Sequence, residues 1–231
     1  MIHNMIRRFR FTPLILIVLP ALDAFQPVYA GPPLICHPFD IGGAKSLPWG
    51  GSEWRAVKAD YDLNQLVEDT LALLTPDAPV IVRMETLRRA TIYAVWAGRD
   101  REVGYAPKDS KVADELLSRL MARAKSKHDV TALFDAGYLA ESYKQAGRKT
   151  DVDGYTFVAK AISLSEQDAE MEFAAALIAL DGRREKHQQH LQKAIARATP
   201  GSLLAKNLVS HFGHLGKTLA ELRTNVAKSK N

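Results

Sequence analysis

Apolar residues recur along this chain at helical spacing, and the recurrence marks out nine segments. Leu63, Leu66, Val67, Leu71 and Leu74 fall on one stripe, with Asp62 as cap and Pro76 as stop. Val80 to Ala97 carries Ile81, Met84, Leu87, Ile92 and Val95 in the same register. Gly98 to Pro107 reads as a loop, and Lys111 to Ala124 then places Val112, Leu116, Leu117, Leu120 and Met121 along one face. Val130 to Ala146, Val152 to Ser163, Ala169 to Leu180, Arg184 to Ala198, Ser202 to Leu215 and Lys217 to Ala227 complete the set. No stretch of comparable length alternates with the period of a strand, so the pattern predicts an all-α protein.

The later segments repeat. Gly147, Gly182 and Gly216 each close an apolar run, at intervals of 35 and 34 residues. Ahead of them stand Ala136, Leu139, Ala140 and Tyr143; Met171, Ala174, Ala175 and Ile178; and Ala205, Leu208, Val209 and Phe212. Steps of three, one and three put each set on a single helical stripe, and the small residue beside a larger one lets two helices approach closely. A period near 34 is the mark of stacked helical hairpins that bury their faces only against neighbours.

This pattern resembles the first helix of a tetratricopeptide repeat, over about residues 129–228. The second helices match less evenly. Leu191 and Ala194 occupy the motif's aromatic and small positions, and Pro200 falls one residue late. Val158 and Ala161 match only with a longer turn, and the last unit would bury Glu221 and Asn225, so Leu219, Leu222 and Val226 read instead as a shifted capping helix. The motif's tryptophan is absent. Residues 80–125 form a looser, longer unit. The resemblance implies a right-handed solenoid of antiparallel helical hairpins that binds a peptide or protein in a groove lined by first helices. Carried onto this chain, the groove positions are Phe134, Glu141, Lys144, Gln145, Glu172, Lys206, Ser210 and His214. Ala176, Ala179 and Leu180 make the middle of that groove apolar, either as a ligand surface or as a bed for the N-terminal arm.

That arm, residues 31–61, precedes a helical-repeat domain over residues 62–231. It holds Pro32, Pro33, Pro38, Pro48 and five glycines, a density that excludes helix and favours an extended or turning path. Trp49 and Trp54 are expected to pin it onto the helices, because large aromatics seldom remain in water.

Residues 1–30 read as a removable secretory signal: Arg7, Arg8 and Arg10, then a mostly apolar run, then Val28-Tyr29-Ala30 before the cut. Pro13, Pro20 and Asp23 interrupt a run already too short for a membrane anchor. The chain is accordingly expected in a Gram-negative-type periplasm or secreted, with no membrane attachment after signal removal. Removing the signal's three arginines and one aspartate lowers the net charge from +5 to +3. That excess is too small and dispersed to indicate nucleic acid. Cys36 stands alone, so no internal disulfide forms, and the thiol is buried, capped or bridged to another chain.

Chemistry-bearing residues are few. His187 and His190 lie three apart on one helix, and His211 and His214 three apart on the next. If the helices fold back near Pro200, His187 faces His214 and His190 faces His211, a set able to hold zinc or copper, or simply four surface and capping residues. Cys36, His37 and Asp40 gather a thiol, an imidazole and a carboxylate, but neighbours in an extended chain point to opposite sides. Gly42 to Ser46 lacks the glycine before the lysine that a phosphate loop needs. No serine elbow, zinc-protease helix or cofactor motif occurs. Arg83 to Arg89, with Glu85 among three arginines, reads as a solvated helix face with local ion pairs. The leading expectation is a non-enzymatic exported scaffold for a peptide or protein partner, without cofactor; the alternative is a divalent-metal binder using the paired histidines.

Overall fold

A computed structural model describes residues 31–96, 111–126, 129–180 and 182–228. Ten α-helices lie within them: α1 (Pro33–Cys36), α2 (Leu66–Leu73), α3 (Val80–Trp96), α4 (Lys111–Ser126), α5 (Val130–Gln145), α6 (Gly154–Leu164), α7 (Ala169–Ile178), α8 (Arg184–Arg197), α9 (Leu203–Phe212) and α10 (Leu219–Lys228). No strand occurs among the described residues. The expected secretion signal, at residues 1–30, and the expected loop at 98–107 lie outside the described residues.

Local chemistry sets the helix starts. Asp129, Asp153, Asp168 and Ser202 each accept backbone N–H groups from the first turn of α5, α6, α7 and α9. These bonds satisfy donors that a helix start otherwise leaves open. They also explain why α6 and α9 begin one or two residues later than periodicity suggests.

Helix ends divide into two kinds. Gly147 has φ +84°, its N–H bonds Lys144 O, and Arg148 N–H reaches back to Tyr143 O. That pair of bonds is a Schellman closure, which requires the left-handed conformation that glycine adopts without strain. Gly182 likewise has φ +77° beyond α7. Gly216 does not end a helix: α9 stops at Phe212 with Gly213 as its cap, and Gly216 sits against Glu221 and Leu222.

The helices pack as a chain of neighbours. α5 lies against α6, and α7 against α8; α3 touches α5, α5 touches α7, α7 touches α9, and α8 touches α10. This arrangement is compatible with helical repeats. At the α5–α6 crossing two glycines meet, and a Cβ on Gly137 would lie 2.5 Å from Gly154 O and 2.7 Å from Phe157 Cβ. The backbones are therefore in direct contact there.

The Pro/Gly-rich arm departs from its sequence reading in one respect. Pro33–Cys36 forms a helical turn, with proline in the first turn where its missing N–H costs nothing. That turn touches α3, α5 and α7. Leu34, Ile35, Phe39 and Leu47 are buried within the same core as the helices. Trp49 meets Tyr93 edge-on at 5.8 Å, and Trp54 meets Trp96 at 5.7 Å.

Candidate functional site

The arm pairs only part of its own backbone, through turns such as Gly50 N–H to Ala56 O, and a buried backbone group without a partner is costly. The first helices supply the partners. Glu85 on α3 accepts Phe39 N–H at 3.1 Å. Arg88 donates to Ile35 O at 3.0 Å and Trp54 O at 2.8 Å, and Arg89 donates to Leu47 O at 2.6 Å. Tyr93 donates to Pro48 O at 2.7 Å and accepts Lys58 N–H at 2.9 Å. Gln145 on α5 accepts Leu34 N–H at 2.8 Å. Asn207 on α9 holds both backbone groups of Asp40, accepting its N–H at 2.9 Å and donating to its carbonyl at 2.8 Å. A single irregular segment, the turn α1 and the chain after it, is thus held through its backbone by α3, α5 and α9.

Charge holds the readers in place. Glu85 bonds Arg88 through two contacts of 2.7 and 2.8 Å, and Arg89 at 2.7 Å. Burial pushes the Glu85 carboxyl up, but the bonds and charges of Arg88 and Arg89 overcome it and hold the group below its ordinary range. The guanidinium groups of Arg88 and Arg89 also lie 5.2 and 5.4 Å from the Trp49 ring. One turn earlier, Arg83 bonds Asp135 at 2.6 Å, Ala78 O at 3.0 Å and Thr75 O.

These arginines correct the sequence reading. Arg83, Glu85 and Arg88 are at most 1 % exposed, not a solvated face, because the arm and α5 cover α3. Every residue of α3 except Arg89 is buried, which an apolar stripe alone does not predict. Charges inside such a helix need fixed acceptors; the arm's carbonyls provide them for Arg88, and Asp135, Ala78 O and Thr75 O for Arg83.

The eight groove positions fall into three groups. Phe134 and Glu172 are buried, the first in the core and the second under His190 and Lys193, so neither faces an open groove. Gln145 is spent on the arm, and Glu141 is tied to Lys144 at 2.8 Å and to Tyr155 N–H at 3.2 Å. Lys144, Lys206, Ser210 and His214 are exposed. Ala176 and Ala179 are buried, and Phe173, about one turn before Ala176 on α7, receives Phe39 edge-on at 6.0 Å. The arm occupies the middle of the face.

The four histidines diverge. His190 gives Nδ1 to the Glu172 carboxylate, which leaves Nε2 to accept the Tyr155 hydroxyl at 2.8 Å. His211 turns toward the arm, donating Nδ1 to Asn207 O at 2.9 Å and stacking on Phe39 at 4.8 Å. His187 donates to Ala176 O at 2.8 Å, closing a carbonyl in the last turn of α7. His187 and His214 both border the Phe212 ring, at 5.8 and 6.3 Å. The hairpin sets pairs at one level, but helix rotation sends His190 and His211 to different neighbours. No group of three or more His, Cys, Asp or Glu among the described residues is placed to hold a metal ion.

Cys36 is half-buried, and burial pushes its thiol up from its ordinary value. It borders a cleft of about 480 Å³ with Trp54 and Trp96. A second cleft, about 640 Å³, lies between α9 and α10 and includes Lys206 and Ser210. No described helix is long and apolar enough to cross a membrane. Comparison with known proteins matches no family model, no curated protein and no solved structure.

Proposed function

We propose that this chain is a non-enzymatic, exported helical-hairpin scaffold that binds a peptide or protein partner. Its hairpins α5/α6, α7/α8 and α9/α10 form a right-handed solenoid of tetratricopeptide-like units, with α3/α4 as a longer first unit. The succession of contacts from α3 to α5, α7 and α9 supports that stacking. The basic start, apolar run and small-residue end of residues 1–30 support export to the periplasm or beyond.

One observation carries the reading: the first-helix face holds an irregular polypeptide segment by side-chain bonds to its backbone. Backbone readout of this kind is what a peptide-binding face needs. Here the arm fills it in cis, so a partner docks on the exposed remainder.

The test is a pull-down from envelope extract on the immobilised exported chain, with heat-unfolded chain as the control column. A partner enriched on the folded column alone, and re-bound by it after purification, is the expected result. Equal recovery on both columns removes the scaffold reading. Metal binding through the histidines finds no comparable support in their geometry.

A further inference from the structure

We infer that the cleft between α9 and α10 seats the partner and selects an acidic segment bearing an apolar side chain. This rests on the scaffold reading and names the surface and the partner chemistry that serve it.

The arm packs along α3, α5 and α7 and reaches one side of α9 through Asn207 and His211, which leaves the side of α9 that faces α10 for recognition. There Ala205 and Val209 of α9 oppose Leu219 and Ala220 of α10 across a cleft of about 640 Å³. The size lies in the range of sites that take a small ligand or a few side chains.

Its charge is one-sided. Lys206 and Arg223 border the cleft, and no carboxylate does. Arg223 is exposed yet fixed, donating Nη2 to Ala198 O at 2.6 Å and Nε to Ile195 O at 3.3 Å. Both acceptors are carbonyls at the C-terminal end of α8, so the positive charge is oriented by dipoles and not by a carboxylate. A preorganised cation loses little freedom when it meets a carboxylate. An apolar floor between two cations complements an apolar side chain flanked by acidic ones. A peptide covers such a cleft with its own backbone.

Fluorescence anisotropy on the full exported chain tests this with fluorescein-Gly-Glu-Asp-Leu-Phe-Glu-Gly-amide as the probe. The same peptide with Gln and Asn in place of Glu and Asp, and sodium dodecanoate as competitor, are the other arms. The acidic probe is expected to bind and to lose affinity roughly tenfold or more with Lys206→Glu, and with Val209→Trp, which fills the cleft. Circular dichroism checks the folding of each variant. If Val209→Trp does not fold, Ser210→Trp on the exposed rim replaces it. Equal binding of the neutral peptide, unchanged affinity in the folded variants, absence of probe binding, or displacement of the probe by dodecanoate at micromolar concentration each overturns the inference. The two readings fail separately. A pull-down partner retained by the Val209→Trp column removes the cleft and keeps the scaffold, whereas no partner on either column removes the scaffold.

Discussion

At residue scale the arm–helix contact converges on Glu85, whose two oxygens accept four hydrogen bonds, from Phe39 N–H, Arg88 twice and Arg89. Removing one partner of a buried ionic network leaves an uncompensated charge, which costs about 3–5 kcal/mol. Glu85→Ala is therefore expected to lower unfolding stability in urea by that amount; a change near the ~0.5 kcal/mol of an ordinary surface substitution would show that the network is not structural. His211 makes a pH prediction. Burial between Phe39 and Phe173 lowers its pKa from 6.5 to about 4. The unfolded chain then takes up a proton that the folded chain refuses. The stability it contributes is complete above pH 6.5 and is lost as pH falls toward 4, on the order of 3 kcal/mol in all. Asp135 acts in the opposite sense: burial, against the pull of Arg83, pushes it up to about 7, so its contribution improves as pH falls from there. The His211 effect is thus read as a difference between the parent and His211→Phe. Parallel stability curves for the two between pH 7 and pH 4 would refute the assignment.

At the scale of elements, the α5–α6 crossing is set by what is missing. Gly137 and Gly154 face one another, and a Cβ on Gly154 would strike Gly137 O and lie 2.8 Å from Glu141 Cγ. Overpacking a contact of this kind costs about 1–3 kcal/mol. Gly137→Ala is expected to lower the thermal midpoint clearly, although alanine favours a helix interior by about 1 kcal/mol over glycine. A rise in the midpoint would mean that propensity outweighs the clash and that the helices have room to part. Sequence periodicity located these helices because an apolar stripe is a local property of the chain. The glycine pair went unread because its meaning depends on which helix lies opposite.

For the whole molecule, the arm behaves as part of the core. Phe39 is 4 % exposed, stacked on His211 and edge-on to Phe173, which ties the arm to α7 and α9 at once. Phe39→Ala is expected to cost about 3–5 kcal/mol. It should also bring the first proteolytic cut of the native protein into residues 40–58, read by limited proteolysis and mass spectrometry. An arm as resistant to cleavage as in the parent would show that its docking does not depend on this side chain.

Fold class was legible without the structure. Nine amphipathic segments, the Asp62 cap and the glycine behind α5 act within a turn or two of themselves, so the helices follow from local spacing. The partners of Arg83, Arg88, Asn207 and the four histidines were not legible. Each depends on how far one helix rotates against another and on where an irregular arm comes to rest. Spacing places His190 level with His211 across a turn, but only packing decides that one ring meets Glu172 and the other Phe39. The same holds for the groove: periodicity identifies the face shared by the first helices, and tertiary structure decides that the arm covers it, because its unpaired carbonyls and buried Leu34, Ile35 and Phe39 are satisfied nowhere else.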